Sequence, residues 1–103
     1  MKDDSFKDFV LDQLREQRGL EGRGMFGGFG LYAGEKIFGI IFKGRLYFKT
    51  SEATRTTYVE RGMKPFRPNV KQRLNSYYEV PAEVVEDAAQ LETWASVAVG
   101  IAK

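Results

Sequence analysis

From Arg23 to Tyr32 the chain reads Arg-Gly-Met-Phe-Gly-Gly-Phe-Gly-Leu-Tyr, four glycines interleaved with large apolar side chains. A helix does not tolerate that density of glycine, since each costs about 1 kcal/mol against alanine in a helix interior. In a strand, glycine marks a bulge, a positive φ or the close approach of another backbone. The segment is therefore predicted to be the first strand of a sheet. Its glycines leave space for Met25, Phe26, Phe29 and Tyr32 to pack across that sheet.

Two nucleotide-binding readings of the stretch fail on context. Gly28-Phe29-Gly30-Leu31-Tyr32-Ala33 has the letters of a dinucleotide fingerprint, but that device needs a strand before it and a helix after it. Here a helical pattern precedes and strand patterns follow. The first RNA-binding signature of RRM domains starts well at Arg23-Gly24, but Met25 and Phe26 then occupy its aromatic and small positions.

Around this stretch the periodicities give an order of elements. Phe6, Phe9, Val10 and Leu14 recur at helical spacing, interrupted at Gln13, and predict a helix over 5–17 with Ser5 as N-cap. Ile37 to Phe42 is too apolar to be half-exposed along its whole length. Lys43-Gly44 is a tight turn. Arg45 to Lys49 alternates, with Leu46 and Phe48 on one face and Arg45, Tyr47 and Lys49 on the other. Thr50 or Ser51 caps a second helix that packs through Ala53, Thr57 and Tyr58 and stops at Gly62. Pro65-Phe66-Arg67-Pro68 is extended, because each proline restrains its predecessor. Asn69 to Leu74 reads as a loop or hairpin connection, and Asn75 to Val80 as a strand. Pro81 sits at the start of a short helical turn. Asp87 to Gln90 has capping-box spacing. From there Leu91, Trp94, Ala95, Ala98, Ile101 and Ala102 form an unbroken helical stripe. The expected fold is α+β, with order α-βββ-α-ββ-α. It is a two-layer structure in which an antiparallel sheet of about five strands carries helices on one face. With 103 residues, residues 1–103 form one domain.

The chain has no cysteine and no histidine. Thiolate chemistry, Fe–S ligation and the usual neutral-pH proton shuttle are thereby excluded. The carboxylates are scattered without metal-ligand spacing. The expectation is no catalytic centre, no metal and no cofactor. No targeting segment and no membrane-length apolar run is visible, which points to the cytoplasm.

The charge is unevenly placed. Residues 36–73 carry ten basic and two acidic side chains, while 1–35 carry five and seven, and 74–103 carry one and five. Cations alternate with rings in the basic stretch. Arg23, Arg45, Tyr47, Lys49, Lys64, Arg67, Lys71 and Arg73 are the candidate surface for a partner or for nucleic acid. The competing reading is that the acidic flanks fold against the basic middle and neutralise it. A small-molecule site is the third reading, and it requires a pocket lined by Tyr32, Tyr47 and Tyr77.

Five blocks carry a family resemblance. They are Met25-Phe26-Gly27-Gly28 with Gly30-Leu31-Tyr32; Leu46 to Lys49; Pro65-Phe66; Ser76-Tyr77-Tyr78 with Pro81; and Leu91 with Trp94-Ala95. In that order and spacing the chain resembles the TfoX (Sxy) N-terminal domain family over nearly its whole length. The resemblance implies a non-enzymatic regulatory or protein-interaction domain, here standing alone. Full-length members are bacterial regulators of natural competence, thought to act with the cyclic-AMP receptor protein at promoters. They also carry a C-terminal domain resembling helix–hairpin–helix modules. The implied partner is another protein, a transcription regulator. Nucleic acid is the alternative partner, no membrane is expected, and an exposed sheet edge would support a homodimer.

Overall fold

A computed structural model describes residues 2–25, 27–69 and 71–102. Phe26, one of the motif residues, lies outside the described residues, as does the side chain of Arg73. The elements are α1 (Lys2–Gln13), β1 (Leu20–Met25), β2 (Gly28–Ala33), β3 (Lys36–Phe42), β4 (Arg45–Lys49), α2 (Glu52–Glu60), β5 (Pro65–Asn69), β6 (Gln72–Glu79), α3 (Ala82–Val85) and α4 (Ala88–Ala102). All strand pairs are antiparallel, in the order β1-β2-β3-β4-β6-β5. The α+β class holds, and the helices cover one face. Among the described residues no helix is long and apolar enough to cross a membrane.

The sheet has six strands rather than about five. The glycine-rich stretch is a hairpin and not a single strand. Leu20 to Met25 runs out, the chain turns at Gly27 with φ +78°, and Gly28 to Ala33 returns with Met25 opposite Gly28. The return brings β2 so close to β3 that a Cβ on Gly28 would collide with the Ile41 carbonyl oxygen. At Gly30 a Cβ would lie 2.6 Å from the Met25 sulfur and 3.1 Å from the Tyr32 ring. One glycine thus admits a backbone and the other admits a layer of side chains.

A bulge lets β3 be apolar on both faces. Leu31 pairs with Gly39 but Tyr32 pairs with Ile37, so Phe38 is the extra residue. Phe38 and Ile41 then enter the helix-side core, while Ile37, Ile40 and Phe42 face the other way. Lys43 and Gly44, at φ 52° and 75°, make the primed two-residue turn whose twist suits a hairpin.

α1 differs from its expected bounds of 5–17. Ser5 lies inside the helix, and past Leu14 the bonding tightens to three-residue spacing, with Arg15 N donating to Asp12 O at 3.3 Å and Gln17 N to Leu14 O at 2.9 Å. The Gln17 side chain is drawn onto α4, where it donates to Glu92 and, at 3.0 Å, to the Ser96 hydroxyl. The polar break at Gln13 also has a use. Its amide donates to the Val85 carbonyl at 3.0 Å, tying α1 to the end of α3.

Ser51 caps α2 in a reciprocal box with Thr54, which stands where Glu or Gln is usual. Of the residues expected to bury α2, Tyr58 does so, but Ala53 and Thr57 are exposed. The Tyr58 ring alone wedges between Tyr78 and Trp94, at centroid distances of 6.2 and 4.9 Å. Asp87 caps α4 by accepting from Gln90 N at 3.1 Å, and Gln90 Nε2 returns a bond to Asp87.

The main core lies between the sheet and α1, α3 and α4, with Phe38, Phe48, Leu31 and Leu46 facing Val10, Leu14, Leu91 and Ala95. The other face has a second, smaller cluster of Ile40, Tyr47, Phe66 and Tyr77. Phe66 reaches it from β5. In a flat sheet β5 lies three strand spacings from β3, roughly 14 Å. Yet the Phe66 ring is 5.4 Å from Phe42 of β3 and 4.8 Å from Tyr47 of β4. β6 pairs with β4 only over Tyr77–Glu79, and the β5–β6 register shifts on both sides of Phe66. The stretch from Asn69 to Leu74, read as a loop or hairpin connection, holds the end of β5 at Asn69 and the start of β6 at Gln72, with Val70 outside the described residues, and the β5–β6 hairpin curls over the helix-free face.

Candidate interaction surface

The helix-free face has two halves. Beneath the hairpin, Phe66 is 0% exposed, Tyr77 7% and Tyr47 9%. Burial raises the phenol pKa of Tyr47, reinforced by Glu79 and partly offset by Arg45. Burial also raises that of Tyr77, with Tyr32 adding to it. These rings hold the hairpin down and do not present stacking platforms. Of the three tyrosines that a small-molecule site required, Tyr47 and Tyr77 pack with Phe66 beneath the hairpin, while Tyr32 lies under Arg23.

Away from the hairpin, the face over β1, β2 and β3 keeps Met25, Tyr32 and Ile37 half-buried. The Arg23 guanidinium lies 4.4 Å above the Tyr32 ring and also meets Glu21 at 3.2 Å. Lys49 Nζ lies 5.2 Å from the Tyr77 centroid, and Lys43 Nζ 5.4 Å from that of Phe42. Strand alternation brings Arg23 and Lys49 to the face of the rings, and Lys43 reaches Phe42 from the β3–β4 turn. Each cation covers apolar ring surface with its stem and keeps its charge at the solvent boundary.

The other sequence-selected cations are dispersed. Arg45 Nη1 contacts both Glu79 carboxylate oxygens at 3.1 Å. Arg61, which was not among the selected cations, lies 3.6 Å from Glu83. Acids from the C-terminal flank thus neutralise part of the basic middle. Lys64, Arg67 and Lys71 are exposed on or beside the β5–β6 hairpin, and Arg67 alternates away from the buried Phe66. Arg73 belongs to β6 by its backbone. Arg23 and Arg67 stand on opposite edge strands.

The residue selection missed a groove of about 210 Å³ between α2 and α4, lined by Lys49, Thr54, Thr57, Tyr58, Thr93, Trp94 and Val97. Trp94 forms its wall, with Arg61 stacked 5.2 Å from the ring. The signal was in the sequence: threonines on the α4-facing side of α2 are too short to fill the gap. Pro65, Tyr78 and Pro81 are placed structurally, Pro65 pairing with Tyr78 and Pro81 starting α3.

The family model described as the TfoX N-terminal domain matches residues 12–102. No curated protein matches the chain.

Proposed function

The chain belongs to the TfoX N-terminal domain family, and from that premise we propose that it is a non-enzymatic protein-interaction domain of a regulatory system, docking an acidic partner on the helix-free face of its sheet. The observation that carries this is the set of three cation-on-ring pairs on that face, Arg23–Tyr32, Lys49–Tyr77 and Lys43–Phe42. The half-buried Tyr32 and Phe42 rings beside Arg23 and Lys43 offer apolar area, and Lys49, resting on the buried Tyr77, adds charge, the mixture found in interface hot spots. The partner suggested by the family is a transcription regulator, and the setting is the bacterial cytoplasm. Affinity capture by the wild-type chain, compared with R23A/K49A and with R67A/K71A/R73A, tests the assignment. Loss of the captured partner with R23A/K49A is expected. Equal recovery by all three chains would remove both surfaces from the reading.

A second reading rests on the exposed cations Lys64, Arg67 and Lys71 of the hairpin, which would contact nucleic-acid phosphates. It requires an affinity that falls steeply with salt as counterions are released. A duplex titration at low salt that shows no binding ends it.

A further inference from the structure

The two edges of the sheet are built differently. β5 carries Pro65 and Pro68, residues that withhold donors from any added strand. β1 is Leu-Glu-Gly-Arg-Gly-Met, with no proline and a strand neighbour on one side only. α1 packs across β1, β2 and β3 on the helix side.

The hydrogen-bond phase of β1 is fixed. Gly34 N donates to Gly19 O at 3.0 Å, continuing the β1–β2 register. Gly19 therefore points its backbone groups inward, and so do Glu21, Arg23 and Met25. Leu20, Gly22 and Gly24 point theirs outward, beyond the sheet. Side chains alternate with the same period: Glu21 and Arg23 share the helix-free face, and Leu20, Gly22 and Gly24 share the helix side.

We propose that β1 pairs antiparallel with β1 of a second copy of this chain, about a two-fold axis at Gly22, joining two sheets into one. A two-fold perpendicular to the sheet must be centred on a residue for both faces to continue. Centring on Glu21 sets Glu21 against Glu21, and centring on Arg23 sets Arg23 against Arg23. Centring on Gly22 sets Glu21 of each copy opposite Arg23 of the other, giving two complementary ion pairs. In the same register Glu21 and Arg23 occupy the non-hydrogen-bonded positions, where side chains approach most closely. Gly22 meets Gly22, and Leu20 meets Gly24, as hydrogen-bonded pairs, closing about six backbone bonds. The helix side of Gly24 is open, with nothing within 4 Å of where a Cβ would stand, so Leu20 of the other copy finds space there. Charge and side-chain volume select the same register, and the hydrogen-bond phase accommodates it. Arg23 is already held in place by the Tyr32 ring. The joined sheet presents two copies of the helix-free face side by side.

Sedimentation of the intact chain across a concentration series tests this. The wild type is expected to approach twice 11.7 kDa. R23E and E21R are each expected to sediment as monomers, because each sets like charges in register. Their equimolar mixture is expected to recover the dimer, because the two carboxylates of the R23E strand then face the two guanidinium groups of the E21R strand. G24P removes an outward donor without touching the β1–β2 bonds and is expected to be monomeric. Circular dichroism of each variant checks that it is folded. A wild type that stays monomeric over the series, or single variants that dimerise like the wild type, would overturn the proposal. So would a mixture that stays monomeric while the wild type dimerises.

Discussion

The two faces of the sheet are both packed, but by different means. On one, Val10 of α1, Leu14 just past its end, Val84 of α3, and Leu91 and Ala95 of α4 lie over Phe38 and Phe48. On the other, a curled β-hairpin lays Phe66 over Tyr47 and Phe42. Helices bring their own hydrogen bonds and cover a broad area. A two-stranded hairpin covers little, and the rest of its face stays half-bare with cations resting on rings. The helix side carries the fold, and the hairpin side divides between a small second core and a surface available to a partner.

The sharpest way to break this comparison is to remove one ring from each side. Phe38 and Phe66 are both fully buried. F38A is expected to cost about 3 to 5 kcal/mol in chemical denaturation, the usual cost of a large core deletion. F66A is expected to cost less, because the hairpin can lift locally and so limit the loss to its own opening free energy. Equal losses would mean that the two clusters are one cooperative core.

The glycines give a smaller contrast. G28A drives a methyl group into a backbone carbonyl, and G30A drives one into the movable ends of Met25, Ile37 and Tyr32. Overpacking costs about 1 to 3 kcal/mol, and G28A is expected near the top of that range and G30A near the bottom. Thermal or urea unfolding of the pair measures the difference.

Some of this was legible in the sequence. The α4 stripe was unbroken, and Asp87 and Gln90 announced its start. Alternation assigned Leu46 and Phe48 to one face and Tyr47 to the other. β1 was hidden because Leu-Glu-Gly-Arg-Gly-Met has no β-branched residue, so its strand character comes from pairing with β2 and not from propensity. The α2 surface was misjudged because one ring, Tyr58, does the packing assigned to three residues. The candidate surface was half legible. Alternation put Tyr47 beside cations, but its burial depends on the curl of a hairpin that lies distant in sequence. The curl follows from register shifts around Phe66, which no local pattern announces.

Tyrosine ionisation sharpens the comparison at alkaline pH. Burial raises Tyr58 on the helix side strongly, and raises Tyr47 and Tyr77 on the hairpin side as well. Above about pH 10 the unfolded chain releases tyrosine protons that the folded chain retains. The unfolded state then binds fewer protons, so stability falls as pH rises, while below that range these groups add no pH dependence. Y58F is expected to flatten the alkaline fall more than Y77F. Denaturation midpoints followed from pH 8 to 11 check the sign and the ranking. The smallest effect is expected at the Arg45–Glu79 pair, where Arg45 is 61% exposed. R45Q should cost less than about 1 kcal/mol and less still in high salt.

Hydrogen exchange of the F66A chain, read residue by residue, tests the two-core account most directly. Exchange is expected to quicken in β5 and in the half of β6 that precedes Ser76, with β2, β3 and α4 protected as in the wild type. A uniform rise across both faces would contradict it, since the hairpin would then be part of the single structure that the helices hold together.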